Sequence, residues 1–171
     1  MNADTRQAPT DVQAPSVTRL TTATAGEVWA VLADGWTYPC WIVGTARMRA
    51  VEPGFPSAGT RLHHSFGAWP LTIDDETISL SAEPESRLVL EAHGWPLGEA
   101  RVEIGLTPIP GGTEISIAED ATKGPGRWLV PGPARQALIT ARNTETLRRL
   151  VLLAEHSPGV LARPVKRRAS T

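Results

Sequence analysis

The hydrophobic and polar positions change period twice along the chain. Residues 17–23 alternate modestly, as a strand does. Val28, Trp29, Val31 and Leu32 then fall on one helical face, opened by Thr24-Ala25-Gly26-Glu27 and closed by Asp34-Gly35. Thr24 and Glu27 have the spacing of a capping box, in which hydroxyl and carboxylate each satisfy the other's backbone N–H. A short helical turn is expected over 38–43. From there to about residue 119 the pattern is period two. Strands are predicted over 48–52, 60–67, 71–83, 87–93, 100–107 and 113–119, punctuated by Pro53-Gly54, Gly59 and the hairpin turn Pro110-Gly111-Gly112. The apolar phase changes between Ile73 and Ile78, which predicts a bulge there. Residues 134–156 contain neither Gly nor Pro and read as one helix. Its inward stripe is Ile139, Asn143, Thr146 or Leu147, Leu150 and Leu153, with Arg142, Arg148 and Arg149 off centre.

This order predicts an α+β chain in the helix-grip arrangement: a curved antiparallel sheet wrapped around a long C-terminal helix, with two short helices after the first strand. A sheet around one helix cannot touch it everywhere, so a pocket between them is the expected site of function. Residues 1–15, rich in Ala, Pro, Thr and Gln, are expected to be a disordered tail. Residues 16–156 form the domain, and 157–171 a basic disordered tail.

Composition narrows the chemistry. The chain has 171 residues, enough for one domain with a real core. One cysteine, Cys40, excludes an internal disulfide and any multi-cysteine metal site. No stretch is long and apolar enough to span a membrane, and the polar N-terminus lacks the apolar segment of a secretory signal. The cytoplasm is the expected location. Net charge is −1, but Arg163, Lys166, Arg167 and Arg168 stand together in the tail, leaving a body of 13 basic and 18 acidic residues. That balance argues against nucleic acid as the partner.

Several residues carry candidate chemistry. His63 and His64 are adjacent, so a strand sends them to opposite faces and they cannot share a metal. Leu62, His64 and Phe66 share the apolar, inward face. Glu119 shares the face of Ile115 and Ile117; there it could join His64 in acid–base work, although a strand-end carboxylate in solvent, or one paired with Lys123 or Arg127, is the more ordinary reading. Alternation sends at least one of Asp74, Asp75 and Glu76 inward unless the bulge absorbs it; paired carboxylates there could serve as a general base, although a solvated face with one residue bonded to a cross-strand Arg101 or Arg87 is the more ordinary reading. Asn143 on the helix stripe can bond a ligand carbonyl or the facing backbone. Six Trp against one Tyr is unusual. Tyr38, Trp41, Trp95 and Trp128 can converge at the mouth of an apolar pocket, or simply plug the ends of the grip. The catalytic candidates are therefore His64, Glu119 and Asp75; the ligand contacts are Tyr38, Trp41, His64, Phe66, Trp95 and Asn143. No phosphate loop, nucleophile elbow or metal-ligand spacing is present, so no cofactor is expected.

Ala25-Gly26-Glu27-Val28-Trp29-Ala30-Val31-Leu32-Ala33-Asp34, with Tyr38-Pro39 and Trp41-Ile42-Val43-Gly44, resembles the opening of the SRPBCC superfamily, also called START-like or Bet v 1-like. So do Gly59-Thr60-Arg61-Leu62-His63-His64, Gly111-Gly112-Thr113 and the run from Arg142 to Leu150. The resemblance spans residues 17–155 and is to bacterial members labelled polyketide cyclase/dehydrase-like. It implies binding of lipids, hormones or polyketides, with catalysis in some members only. The expected partner is thus a small hydrophobic ligand, held by a monomer or homodimer without stable membrane insertion. A cyclase, aromatase or dehydratase using His64 with a cavity carboxylate is the alternative. A third reading gives the tail sequence Lys166-Arg167-Arg168-Ala169-Ser170 a role in membrane or partner recruitment.

Overall fold

The structure is a computed structural model, and it describes residues 16–68, 70–94, 98–123 and 132–156. Strand β1 (Ser16–Thr21) leads into helix α1 (Ala25–Ala33), a 3-10 turn at Gly35–Thr37 and the one-turn helix α2 (Tyr38–Trp41). Six strands follow: β2 (Thr45–Val51), β3 (Arg61–Ala68), β4 (Leu71–Glu83), β5 (Arg87–Gly94), β6 (Gly98–Ile109) and β7 (Gly112–Lys123). Helix α3 (Gly132–His156) closes the domain. The strands form one antiparallel sheet in the order β1-β7-β6-β5-β4-β3-β2, and α3 lies across its β1–β7 side. This is the helix-grip arrangement that the order of periods predicts.

Local chemistry sets the element boundaries. The capping box forms: the Glu27 N–H donates to Thr24 Oγ1 at 3.2 Å and the Thr24 N–H to Glu27 Oε2 at 2.8 Å. Helix α3 begins two residues earlier than expected, because Gly132 and Pro133 enter its first turn, where Pro needs no donor. The strands β6 and β7 run further toward the β5–β6 end than the alternation alone suggested. The expected bulge between Ile73 and Ile78 is displaced. Register between β3 and β4 is unbroken from Arg61↔Ile78 to Ala68↔Leu71, and the shift falls between Ser79 and Ser81 on the β5 side. Ile73 and Ile78 differ in phase because they occupy opposite faces, Ile78 being half-buried among the outer-face side chains.

The inner face carries the core. Leu62, Leu88, Leu90, Ile104, Ile115 and Ile117 meet Val28, Val31 and Leu32 of α1 and Leu147, Leu150, Val151 and Ala154 of α3. Glu155 fastens the end of α3 to the β1–α1 corner: Oε1 accepts from Thr21 Oγ1 at 2.7 Å and from the Thr22 N–H at 3.0 Å. These bonds hold its carboxyl below the usual range. Among the described residues, no helix is long and apolar enough to cross a membrane.

Candidate functional site

Register fixes which side chains share the inner face of β3 and β4. His64 pairs with Asp75, Phe66 with Ile73 and Leu62 with Thr77. His64 and Asp75 are thus direct cross-strand neighbours, with Cβ atoms roughly 4.5–5.5 Å apart. His63 points to the other face, where its two ring nitrogens lie 3.5 Å from Glu52 and 3.9 Å from Glu76.

His64 is buried, and its Nε2 lies 3.0 Å from the hydroxyl of Thr77, the diagonal neighbour on β4. Its Nδ1 is buried with no hydrogen-bond partner. Burial, then the nearby positive charges of Arg49 and His63, lower the imidazole pKa to about 4. At neutral pH the ring is uncharged, and Nδ1 is free to act on whatever lies over the inner face. Burial pushes the Asp75 carboxyl up, against the bond it accepts from the Glu76 N–H at 2.8 Å. Its neighbours in the acidic triplet turn outward. Asp74 accepts from Ser65 Oγ at 2.8 Å and sits 3.4 Å from Arg49, and Glu76 lies 3.6 Å from Arg61. Neither Arg87 nor Arg101, the partners expected for this triplet, is the one that Asp74 and Glu76 meet; Arg87 lies against Glu103 at 2.6 Å.

Glu119 is buried on the inner face of β7 and is bonded by Arg142 of α3. Pairing is the ordinary outcome for a buried carboxylate; this partner is a helix residue read as off centre, while Arg127 and the side chain of Lys123, the partners expected from the sequence, lie outside what the structure describes. Strands β4, β5 and β6 stand between Glu119 and His64. The structure therefore brings His64 and Asp75 together and leaves Glu119 apart.

The aromatic candidates divide. Tyr38 and Trp41 are buried in the core rather than rimming a mouth, at 2% and 0% exposure. Their rings meet edge to face at 4.9 Å, and Tyr38 also meets Phe55 at 6.5 Å. Yet Tyr38 Oη and Trp41 Nε1 are buried without partners, and burial drives the phenol pKa upward. Phe66 packs its ring over Gly44, where a Cβ would overlap it. Trp36 is the exposed aromatic of the cluster. Trp95, like Trp69 and Trp128, lies outside the described residues.

Helix α3 completes the wall. Asn143 is buried, on the face of α3 that also carries the buried Thr146 and Leu147. One turn on, Thr146 Oγ1 accepts from the Val43 N–H at 3.4 Å, tying α3 to the end of α2. About two turns before Asn143, Gln136 Nε2 is buried without a partner. Sequence reading missed three participants: Thr77, Gln136 and the pairing of Arg142. Thr77 was findable, since it stands two residues from Asp75 on the same strand face. No group of three or more His, Cys, Asp or Glu among the described residues is placed to hold a metal.

No protein of curated function matches the chain by sequence. Solved structures do match by fold. The di-domain ARO/CYC StfQ from the steffimycin biosynthetic pathway aligns at 15% identity with a TM-score of 0.67, over 85% of this chain and 51% of that one. Ara h 8.0201 aligns at 12% identity and TM-score 0.64, over 84% and 99% of the two chains. A protein from Rhodobacter sphaeroides aligns at 24% identity and TM-score 0.63, over 88% and 97%. At these identities the likeness is one of fold. The family described as "Polyketide cyclase / dehydrase and lipid transport" matches residues 14–155. With that match over most of its length, and with the helix-grip sheet and helix in place, the chain belongs to this family of the SRPBCC superfamily.

Proposed function

We propose that the chain encloses a small hydrophobic molecule, a lipid, polyketide or aromatic metabolite, between the inner face of the sheet and α3. The observation that carries this reading is that buried polar atoms without hydrogen-bond partners include His64 Nδ1 on the inner face and Tyr38 Oη and Trp41 Nε1 in the core. A buried polar group left unpaired costs about 1–3 kcal/mol. Folded proteins keep few such groups, and each calls for a reason. A ligand that bonds them when it enters supplies one. The apolar inner face supplies the driving force, at roughly 25 cal/mol per Å² buried before association costs. The test is native mass spectrometry of the protein purified from its own host. The expected result is a stoichiometric added mass, released on denaturation as an apolar small molecule, with retention lowered in His64→Ala and Asn143→Ala. A protein that emerges empty from its host counts against the reading.

A second reading, polyketide cyclisation, is supported by the opposition of His64 and Asp75 on one wall. The neutral imidazole would take an α-proton from a β-dicarbonyl chain. The resulting enolate carbon attacks a second carbonyl, a C–C bond forms, and the alkoxide recovers the proton from the imidazolium. For dehydration the imidazole, neutral again, would remove the remaining α-proton as the C=C bond forms and hydroxide leaves as water with a proton from the Asp75 carboxyl, whose ionisation burial disfavours; the imidazolium then returns the proton to Asp75. On this reading His64→Ala abolishes conversion of a poly-β-ketone thioester while the protein still retains it. Unchanged conversion in that variant would remove the reading.

A further inference from the structure

Resting on the binding reading above, we infer that the interior selects a neutral ligand bearing acceptor oxygens and rejects the carboxylate form of the same molecule. Three independent features point this way. Arg142, the basic side chain that α3 turns toward the sheet, is already paired with the buried Glu119. Its charge is spent within the protein and is not offered to a ligand anion. Asp75 places a carboxyl on the inner face directly opposite His64, where a ligand carboxylate would meet acceptor oxygens rather than a cation. Beside His64 Nδ1, whose role follows its tautomer, Trp41 Nε1 and Gln136 Nε2 can only donate, and Tyr38 Oη carries a hydroxyl proton. Such donors match carbonyl, ester or quinone oxygens. They do not by themselves compensate a full negative charge taken out of water.

The Glu119–Arg142 pair thereby does more than hold α3 to β7. It makes the site electrically quiet on that side. Removing the carboxylate should release the guanidinium and turn a rejecting wall into an accepting one.

A matched pair of fluorescent probes tests this: 11-dansylaminoundecanoic acid and its methyl ester, titrated at pH 7.5, where the acid is ionised. The full-length protein is expected to bind the ester at least tenfold more tightly. In Glu119→Gln the acid should gain affinity severalfold while the ester changes little, narrowing the gap. An acid that binds the unaltered protein as tightly as the ester overturns the inference while leaving the binding reading intact. Binding of neither probe counts against that reading itself and removes the inference with it. The comparison on the unaltered protein decides the matter even where the variant folds poorly.

Discussion

The imidazole of His64 takes its proton only near pH 4, whereas in an unfolded chain it does so near 6.5. The unfolded state therefore binds more protons between those values, and acid pulls the equilibrium toward it. The stabilising contribution of neutral His64 is fully present above about pH 6.5 and is lost as pH falls toward 4. Asp75 works in the opposite sense. Its raised pKa favours the folded state in acid, and that contribution fades as pH rises through the folded value. The two slopes oppose each other, so a single pH profile mixes them. His64→Gln separates them: it keeps a group able to bond Thr77 and removes the titration. Between pH 7.5 and 5.0 the unaltered protein is expected to lose about 1–2 kcal/mol more stability than the variant, read as urea midpoints at the two pH values. Equal losses in both would show that His64 is not held neutral by burial.

At the level of elements, the approach of α2 to the sheet depends on Gly44, just before β2. Its φ is +103°, and a Cβ there would run into the Phe66 ring. Gly54 is a matched control, with φ at +89° and nothing within 4 Å. Gly54→Ala should cost about 1 kcal/mol for backbone strain alone. Gly44→Ala should cost about 2–4 kcal/mol, because the ring must also move. Thermal melts of the two variants check the difference, and similar melting temperatures would mean that Phe66 yields freely. The pair also marks what a sequence can disclose. That both glycines punctuate strands is legible in one dimension, as are the capping box and the alternation that turns Leu62, His64 and Phe66 inward. What Gly44 packs against is not, because Phe66 lies two strands' worth of chain away. The same limit explains the misplaced bulge: phase along β4 records which face a residue takes, while a bulge is a property of β4 measured against β5. It explains Glu119 too. Alternation turns it inward, but its partner comes from a helix whose rotation over β7 is settled only when the whole sheet has formed.

Across the whole molecule, α3 is held unevenly. From Thr146 onward its inner stripe is Leu147, Leu150, Val151 and Ala154, all buried, and Glu155 clamps the far end to Thr21 and Thr22. Before Thr146 the stripe turns polar: it carries Gln136, whose Nε2 is buried without a partner, and the buried Asn143, and Arg142 beside them pairs with Glu119 of the sheet. Apolar burial rather than intrinsic propensity supplies most helical stability in proteins, so the two halves should open with different free energies. Hydrogen exchange is expected to be faster in peptides covering 134–142 than in those covering 146–155. The half that opens more easily is also the one that carries the polar side chains of Gln136 and Asn143. A ligand seated between α3 and the sheet would bond those groups and slow exchange there, with little effect on the clamped half. Exchange that is uniform along α3, or that slows equally in both halves when the dansyl ester is added, would mean that the helix moves as one rigid unit and that the route into the interior lies elsewhere.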